Sequence, residues 1–466
     1  MDVIPDTSMD IFLHNTLTKT NEPFKPIKQG KVGIYSCGPT VYDRIHIGNL
    51  RSFLFPDILR RLMTYAGYDV TLIRNITDVD DKTIRRSREE KISLKELTEK
   101  YEKTYFDDLA LMNILPPSAS PRATENIPEM IVLIEKLLAK KIAYAASDGI
   151  YFSISKSPKG YGLLAGMTVA ESEHQKERIA NDEYDKENPH DFALWKFWNE
   201  EDDGDTFWEA PFGKGRPGWH IECSAMSTKY LDQPFDIHTG GVDLLFPHHT
   251  NEIAQSEAAE GKPLAHYWLH NEHILVDGKK MSKSAQNFFT LEDIVAKGIS
   301  PLAFRYWLLS AHYRTLVNVT WDSLMGSNQG LKRLVATLST LEDSGSPETS
   351  YKNRFNAIIG DDLDTPKALA LISEILKDGT LRSGTKKATI LEMDTVLGLM
   401  LKEQAEEAKK TLEIPEAIQD LLNEREEARK AKNWTRADEI RQTIGEKGFE
   451  ILDTEAGAKL QKLSPR

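Results

Sequence analysis

The chain holds only two cysteines, Cys37 and Cys223, and each sits inside a dense motif. Cys37 lies in Tyr35-Ser36-Cys37-Gly38-Pro39-Thr40. Cys223 ends Gly218-Trp219-His220-Ile221-Glu222-Cys223, and Pro247-His248-His249-Thr250-Asn251-Glu252 follows. Two thiols, a histidine pair and a carboxylate are a ligand set for zinc. His248 and Glu252 are four apart, a spacing that places both on one face of a helix. His249, three before Glu252, competes as the ligand from spacing alone. Cys37 and Cys223 are expected at strand ends brought together by a parallel sheet. Purely structural zinc sites usually use close cysteine pairs, so ligands this scattered point to a metal that takes part in chemistry.

A second chemistry is written in His46-Ile47-Gly48-Asn49. Gly48 lets a ligand approach the backbone, and a helix opening here offers its N-terminus to an anion. His46 can donate to phosphate oxygens, and Asn49 can bond a phosphate or a ribose. Far along the chain, Val276-Asp277-Gly278-Lys279 reads as a turn that presents Lys280-Met281-Ser282-Lys283-Ser284. Two lysines separated by small residues can close over a triphosphate and neutralise charge as pyrophosphate leaves. Losing one such electrostatic donor typically costs on the order of 10²–10³ in rate.

The elements that must position these groups are partly legible. Val32–Ser36 reads as a short buried strand. The helix that follows starts near Gly48-Asn49 and stops at Gly67, with an expected kink at Pro56. Val70–Ile73 is the next strand, so a strand–helix–strand unit and a parallel sheet are expected. Ser93-Leu94-Lys95-Glu96 is a capping box for a helix running to Leu111. From about Arg122 to Trp208 the pattern is less regular, as in an insertion, and Glu171 to Asn188 reads as an exposed charged loop. From Ser300 onward the chain reads as helical, with a loop at Ser344-Gly345-Ser346-Pro347. Lys402–Lys410 leading to Pro415 looks like a linker or domain edge. The last helix is expected over Ile418 to Lys432.

With 466 residues the chain is too long for one core, so three or more domains are expected. No run is long and apolar enough to span a membrane. Two cysteines in such a length argue for a reducing compartment, the cytoplasm, and the N-terminus has neither a signal-peptide nor a transit-peptide pattern. The net charge of -13 repels polyanions overall, so an RNA partner needs a local basic surface.

The His46 and Lys280 motifs together resemble the HIGH and KMSKS motifs of class I aminoacyl-tRNA synthetases. The residues around them are similar to the cysteinyl-tRNA synthetase family: Tyr35 to Asp43, Arg74 to Lys82, Pro121 to Thr124, Asp191 to Lys196, Gly215 to Met226, Phe235 to His238 with Gly240-Gly241 and Phe246 to His249, then Asp362 to Pro366 and Ala437 to Arg441. The resemblance spans nearly the whole chain. It implies an α/β fold with a split Rossmann-type parallel sheet, an inserted connective domain, an α-helical stem and a small C-terminal anticodon-binding domain. The corresponding boundaries are 1–121 and 216–265 for the two halves of the catalytic core, 122–215 for the insertion, 266–325 for the lysine loop and stem junction, 326–405 for a helical bundle and 406–466 for the C-terminal domain.

By the same resemblance, zinc is held by Cys37, Cys223, His248 and Glu252, and the substrate cysteine adds its thiolate to them. Gly38, Thr77 and His238 hold the amino and carboxylate ends of L-cysteine, and Trp219 closes the pocket. Thr40, His46, Asn49, Asp243 and Lys283 bind ATP, which brings Mg2+. His46, Asn49, Lys280 and Lys283 serve catalysis. The implied partners are tRNA(Cys), L-cysteine and ATP, with no membrane, and the chain is expected to act as a monomer. Arg425, Arg429, Arg436 and Arg441, near Trp434, suit contact with an unstacked anticodon base. The chain departs from the family with Leu460 where an aromatic is usual, Thr250 where an acid is common, Ala285-Gln286-Asn287 after the lysine loop, and Pro56. A ligase joining cysteine to an amino-sugar thiol precursor is the rival reading; a family-like region from Asp361 to the C-terminus argues against it.

Overall fold

A computed structural model of the chain describes residues 9–157, 161–166, 191–281, 287–412, 416–454 and 457–462. It forms two compact units, Met1–Leu331 with Ser344–Leu399, and Lys332–Asp343 with Met400–Arg466.

The first unit is built on a four-stranded parallel sheet ordered Ala265–Asn271, Phe235–Gly241, Lys31–Ser36, Asp69–Arg74. Lys31–Ser36 is central because its apolar side chains are buried: Val32, Ile34 and Tyr35 are all fully inside. From this strand the chain turns first to one neighbour, Asp69–Arg74, and much later to the other, Phe235–Gly241. That reversal of strand order opens a crevice at the carboxyl ends of the strands, where ligands bind in open α/β sheets. The segment around Ala119 continues the sheet in parallel beyond Asp69–Arg74.

The first crossover is the helix Ile47–Tyr65. A capping box starts it. His46 Nδ1 accepts from the backbone N–H groups of Gly48 and Asn49 at 3.1 and 3.2 Å, and the Asn49 side-chain oxygen accepts from the His46 N–H at 3.1 Å. The helix runs continuously through Pro56, at the loss of one intrahelical bond, because Phe53, Leu54, Phe55, Pro56 and Ile58 are all buried and packing holds the turn. The capping box at Ser93 opens Leu94–Leu111 as expected from its spacing.

The insertion is more regular than its sequence suggested. It carries the helix Ile127–Ala139 and an antiparallel sheet ordered Ala143–Ala145, Gly149–Phe152, Phe192–Phe197, Gly215–Pro217. One buried apolar cluster runs from Tyr35 and Cys37 through Trp268 and Cys223 to Phe152 and Trp195 of this sheet. Glu171 to Asn188 lies outside the described residues.

The base of the lysine loop is a small third sheet. Ile274–Val276 pairs antiparallel with Lys279–Lys280 across Asp277-Gly278, and parallel with Val317–Val319. Asp277 and Gly278 have φ of 48° and 75°, the left-handed pair that a two-residue hairpin turn requires.

Downstream, the helices Pro301–Leu309, Trp321–Thr340, Thr349–Gly360, Thr365–Lys377 and Ser383–Leu397 follow the helical reading, with the Ser344–Pro347 loop in place. Strand Val317–Val319 departs from it. Arg305, wholly buried on Pro301–Leu309, donates to the Leu397, Met112 and Asn113 carbonyls and to Asp57 Oδ2 at 2.8–3.0 Å, tying these helices to the helix that carries Asp57.

The second unit corrects the sequence reading in three places. Lys402–Lys410, expected as a linker or domain edge, is a helix, Leu401–Leu412, and not a linker, although the division between the units does fall beside it at Leu399 and Met400; Pro415 lies outside the described residues. Glu416–Lys430 is not the last helix, since Trp434–Glu446 follows. An antiparallel hairpin, Phe449–Thr454 with Gly457–Lys462, ends the described chain. The last two helices and the hairpin enclose a small core of Ile418, Leu422, Ile440, Ile444, Phe449 and Ile451. Leu460 packs on it, opposite Ile451. Among the described residues no helix is long and apolar enough to cross a membrane.

Candidate active site and metal centre

The sheet brings the scattered motifs to one crevice. Cys37 and Gly38 leave the carboxyl end of Lys31–Ser36, and His238 stands on the neighbouring strand, paired with Tyr35. Cys223 comes from the helix Trp219–Leu231 and not from a strand end, which corrects the sequence expectation. This helix starts at Trp219 behind Gly218, so Cys223 sits one turn in and faces the sheet. His248 lies in the irregular turn Leu245–His249, with Phe246 out of helical geometry, and Glu252 lies in the first turn of Thr250–Glu260.

Four buried ligand atoms meet there. Cys37 Sγ is 3.9 Å from Cys223 Sγ and 3.8 Å from Glu252 Oε1, and His248 Nε2 is 3.1 Å from Glu252 Oε1. A tetrahedral zinc with Zn–S of about 2.3 Å and Zn–N or Zn–O of about 2.0 Å has S···S edges of about 3.8 Å and N···O edges of about 3.3 Å. The set of Cys37, Cys223, His248 and Glu252 therefore fits the ion. A second set, Cys37, His238, His249 and Glu252, also has all its donor atoms within 4.8 Å of one another. It lacks one thiol; its His249 would face the ion through Nε2, 3.4 Å from Cys37 Sγ, with Nδ1 held by His270 Nε2 at 2.8 Å.

The electrostatics suit a cation. Although burial opposes it, His238 and His248 hold the Glu252 carboxyl down at about 2. The hydrogen bond from Cys37 lowers Cys223 to about 6, whereas burial keeps the Cys37 thiol well above its usual range. Burial works against a charged His248, but Glu252 and Cys223 overcome it and raise the imidazole to about 10. Burial, with His238 and other histidines around it, pushes His249 well below its usual value.

The expected cysteine-binding residues lie beside this cluster. The Gly38 N–H donates to Asn75 Oδ1 at 2.8 Å. A Cβ at Gly38 would fall 1.7 Å from the Asn75 carbonyl oxygen, so only glycine fits. Thr77 Oγ1 donates to Glu222 Oε2 at 2.9 Å and accepts from Asn75 Nδ2 at 3.2 Å. His238 stacks on Trp268, and its Nε2 lies 2.9 Å from Glu252 Oε2; its Nδ1 has no hydrogen-bond partner among the described residues. Trp219 is 42 % exposed with its ring 4.3 Å from that of His248, so it is a rim residue and not core packing. Asn75, His220 and Glu222 received no role from the sequence, although each lay inside a motif. Only contact geometry distinguishes them: His220 Nδ1 is 3.0 Å from His248 Nδ1.

The expected nucleotide residues gather at the start of Ile47–Tyr65. Because His46 Nδ1 accepts from the helix N-terminus, the ring proton of the neutral imidazole is on Nε2. Asn49 spends its side-chain oxygen on the cap. Thr40 forms an isolated parallel bridge with Thr77. Asp243 is exposed just past Phe235–Gly241, and the missing Cβ of Gly241 leaves room for its carboxylate. Met281 reaches back over Gly48, and the Ile47 N–H donates to the Phe289 carbonyl. Lys280 lies in its strand by backbone, and Lys283 lies outside the described residues.

In the second unit, Trp434 is 59 % exposed at the start of its helix, while Arg425 is buried with its guanidinium on Glu426. Arg436 is exposed and paired with Glu424 and Glu439, Arg441 is exposed, and Arg429 is half-buried.

Residues 23–329 match the family described as tRNA synthetases class I (C) catalytic domain, and residues 411–458 match the cysteinyl-tRNA ligase anticodon binding domain. The chain is similar to the cysteine–tRNA ligase of Brachyspira hyodysenteriae, 44% identical over 97% of this chain and 99% of that protein. It is equally similar to that of Chlamydia muridarum, 44% identical over 98% of this chain and 100% of that protein. Among solved structures, it resembles Mycobacterium tuberculosis methionyl-tRNA synthetase in complex with methionyl-adenylate, with a TM-score of 0.56 and 13% identity over 82% of this chain and 92% of that one. It also resembles an Agrobacterium radiobacter leucyl-tRNA synthetase ternary complex, with a TM-score of 0.57 and 11% identity over 83% of this chain and 85% of that one. These two likenesses concern the fold alone. The catalytic-domain match and the two curated relatives define an ATP-dependent class I aminoacyl-tRNA synthetase. Within that class, the chain belongs to the cysteine–tRNA ligase family.

Proposed function

We propose that the chain activates L-cysteine with ATP, releasing pyrophosphate, and passes the cysteinyl group to the 3′ end of tRNA(Cys), with zinc at Cys37, Cys223, His248 and Glu252 selecting the amino acid. The observation that carries the zinc reading is the buried tetrad, whose edges match those of the ion. Zinc bound there would take a soft, readily ionised thiolate and discriminate against the alcohol of serine. Size exclusion alone gives about 1–3 kcal/mol per methylene-sized difference, too little for faithful decoding.

The chain's own residues supply the rest by position. The Gly38 carbonyl and Thr77 Oγ1 face the amino end of the substrate, and His238 Nδ1 is available to it. Trp219 covers the rim. As the cysteine carboxylate attacks the α-phosphate, His46 donates from Nε2, the amides of the Ile47–Tyr65 N-terminus favour the phosphates, and Lys280 and Lys283 offset charge on departing pyrophosphate. Asp243 bonds the adenosine ribose, and Thr40 and Asn49 line the nucleotide. No covalent enzyme intermediate is needed; alignment and charge stabilisation suffice. The second unit reads the anticodon, with Trp434 as the exposed aromatic and Arg429, Arg436 and Arg441 as its cationic surroundings. Arg425, buried, supports that surface from beneath. The chain works as a monomer in the cytoplasm.

The test is transfer of labelled cysteine to tRNA(Cys) with ATP and Mg2+, in the parent and in Cys223→Ser. The variant is expected to lose zinc, measured by metal analysis, and cysteine binding together. A variant that still rejects serine as well as the parent does would sink the zinc assignment. Cysteine-dependent pyrophosphate exchange without charging would favour a small-molecule acceptor.

A further inference from the structure

Arg51 lies one turn into the helix that begins at His46, and it is only 4 % exposed. Its guanidinium meets no carboxylate within ion-pair distance among the described residues. It donates instead to four backbone carbonyls: NH1 to His273 at 2.7 Å, and NH2 to His312, Tyr313 and Thr315 at 3.1, 3.1 and 2.6 Å. Those carbonyls belong to two chain segments that enter the small third sheet. His273 immediately precedes Ile274–Val276, and Thr315 stands two residues before Val317–Val319. These two strands pair in parallel, and Ile274–Val276 carries Lys279–Lys280 through the tight Asp277-Gly278 turn. The next residue on the helix, Ser52, adds a further tie, accepting from Asn271 Nδ2 at 3.1 Å.

A planar guanidinium offers five donors in a fixed fork; here NH1 serves one carbonyl and the two N–H groups of NH2 share three, so contacts in two directions define its position closely. A lysine ammonium has three donors on a flexible stem and cannot span the same carbonyls. Burying a cation is costly, and burial does weaken the Arg51 charge, with only a partial offset from Glu272, which is not in ion-pair contact with it; many apolar side chains would fill this volume more cheaply. The arrangement makes sense as a brace between two elements that must keep a set distance.

We propose that Arg51 is a positioning residue for adenylate formation: by gripping both strands at the base of the lysine loop, it fixes Lys280 relative to His46. This inference rests on the adenylation reading above, and it concerns no residue that touches ATP or cysteine. It predicts a split in kinetics. Displacing reacting groups by about 1 Å can cost about 10²-fold in rate, while the cysteine pocket, built on Cys37, Thr77 and Cys223, is not held by Arg51.

The experiment measures cysteine-dependent pyrophosphate exchange in the parent, Arg51→Lys and Arg51→Met, together with the midpoint of thermal unfolding. Arg51→Lys, which keeps the buried charge, guards against simple misfolding in Arg51→Met. The expected result is a kcat lowered about tenfold or more in Arg51→Lys, with the KM for cysteine unchanged within about twofold and zinc content unaltered. Unchanged kcat in both variants overturns the proposal. So does a parallel change of kcat, cysteine KM and thermal midpoint, which marks a merely structural role. Absence of exchange in the parent chain is seen before any substitution and overturns the adenylation reading itself, and this inference with it.

Discussion

Asp108 illustrates how one side chain sets a pH response. It is buried on Leu94–Leu111, and its Oδ2 has no hydrogen-bond partner among the described residues. Burial raises its carboxyl to about 6, against a partial offset from Arg44. A folded value above the unfolded one means that the favourable contribution is complete below about 3.8, where both states are neutral. It is lost as the pH rises through about 6, because only the unfolded state ionises easily. After discounting for solvent screening, the penalty at neutral pH is about 1–2 kcal/mol. Asp108→Asn should therefore be more stable than the parent at pH 7 by that amount and indistinguishable from it at pH 3.5, as read from urea midpoints at the two pH values. At this scale the sequence was informative wherever chemistry is carried by a run of neighbours. Cys37, His46, Cys223, His248 and Glu252 stand in compact motifs, and the structure brings Cys37, Cys223, His248 and Glu252 together. Asp108, Arg51 and Arg305 are single charged residues in amphipathic helices, where a buried charge and a solvated one have the same one-letter pattern.

Among the elements, the helix Ile47–Tyr65 connects most of the molecule's working parts. Its cap holds His46, and its fourth turn, through Asp57, accepts from the wholly buried Arg305 and from Arg61 at 2.8 and 2.9 Å. Arg305 also satisfies three carbonyls at the ends of Leu94–Leu111 and Ser383–Leu397. Replacing one partner of such a buried set leaves the others desolvated and unpaired. Arg305→Met is expected to cost about 3–5 kcal/mol, measured as a lower urea midpoint. The strand–helix–strand unit could be read directly, since burial and turns there follow local sequence. The helix that carries Cys223 is hard to see in the sequence, because it starts at Trp219 behind Gly218 with no side-chain cap, a weak start signal. The insertion hid its sheet because three of its four strands have three or four residues, too short for a period-2 pattern to stand out.

For the molecule as a whole, the division into two units separates two tasks. The second unit's core is small, and Leu460, standing where the family usually has an aromatic, packs on that core from the hairpin. The exposed aromatic is Trp434. Base stacking on an aromatic is worth about 1–3 kcal/mol. Trp434→Ala should accordingly raise the KM for tRNA(Cys) by about 5- to 150-fold in a charging assay, with pyrophosphate exchange unchanged. An equal loss in both assays would count against a separate RNA-reading role. The buried cluster of Cys37, Cys223, His248 and Glu252 draws on the first unit at widely separated points: Glu252 stands 215 positions after Cys37. During synthesis at roughly 5–20 residues per second, Cys37 has existed for about 10 to 40 seconds before its last co-ligand is made. Throughout that interval Cys37 lacks the burial and the neighbours that surround it in the folded chain. The window in which an electrophile or oxidant can disable this protein is thus set by the ribosome's pace and closes when residue 252 folds into place.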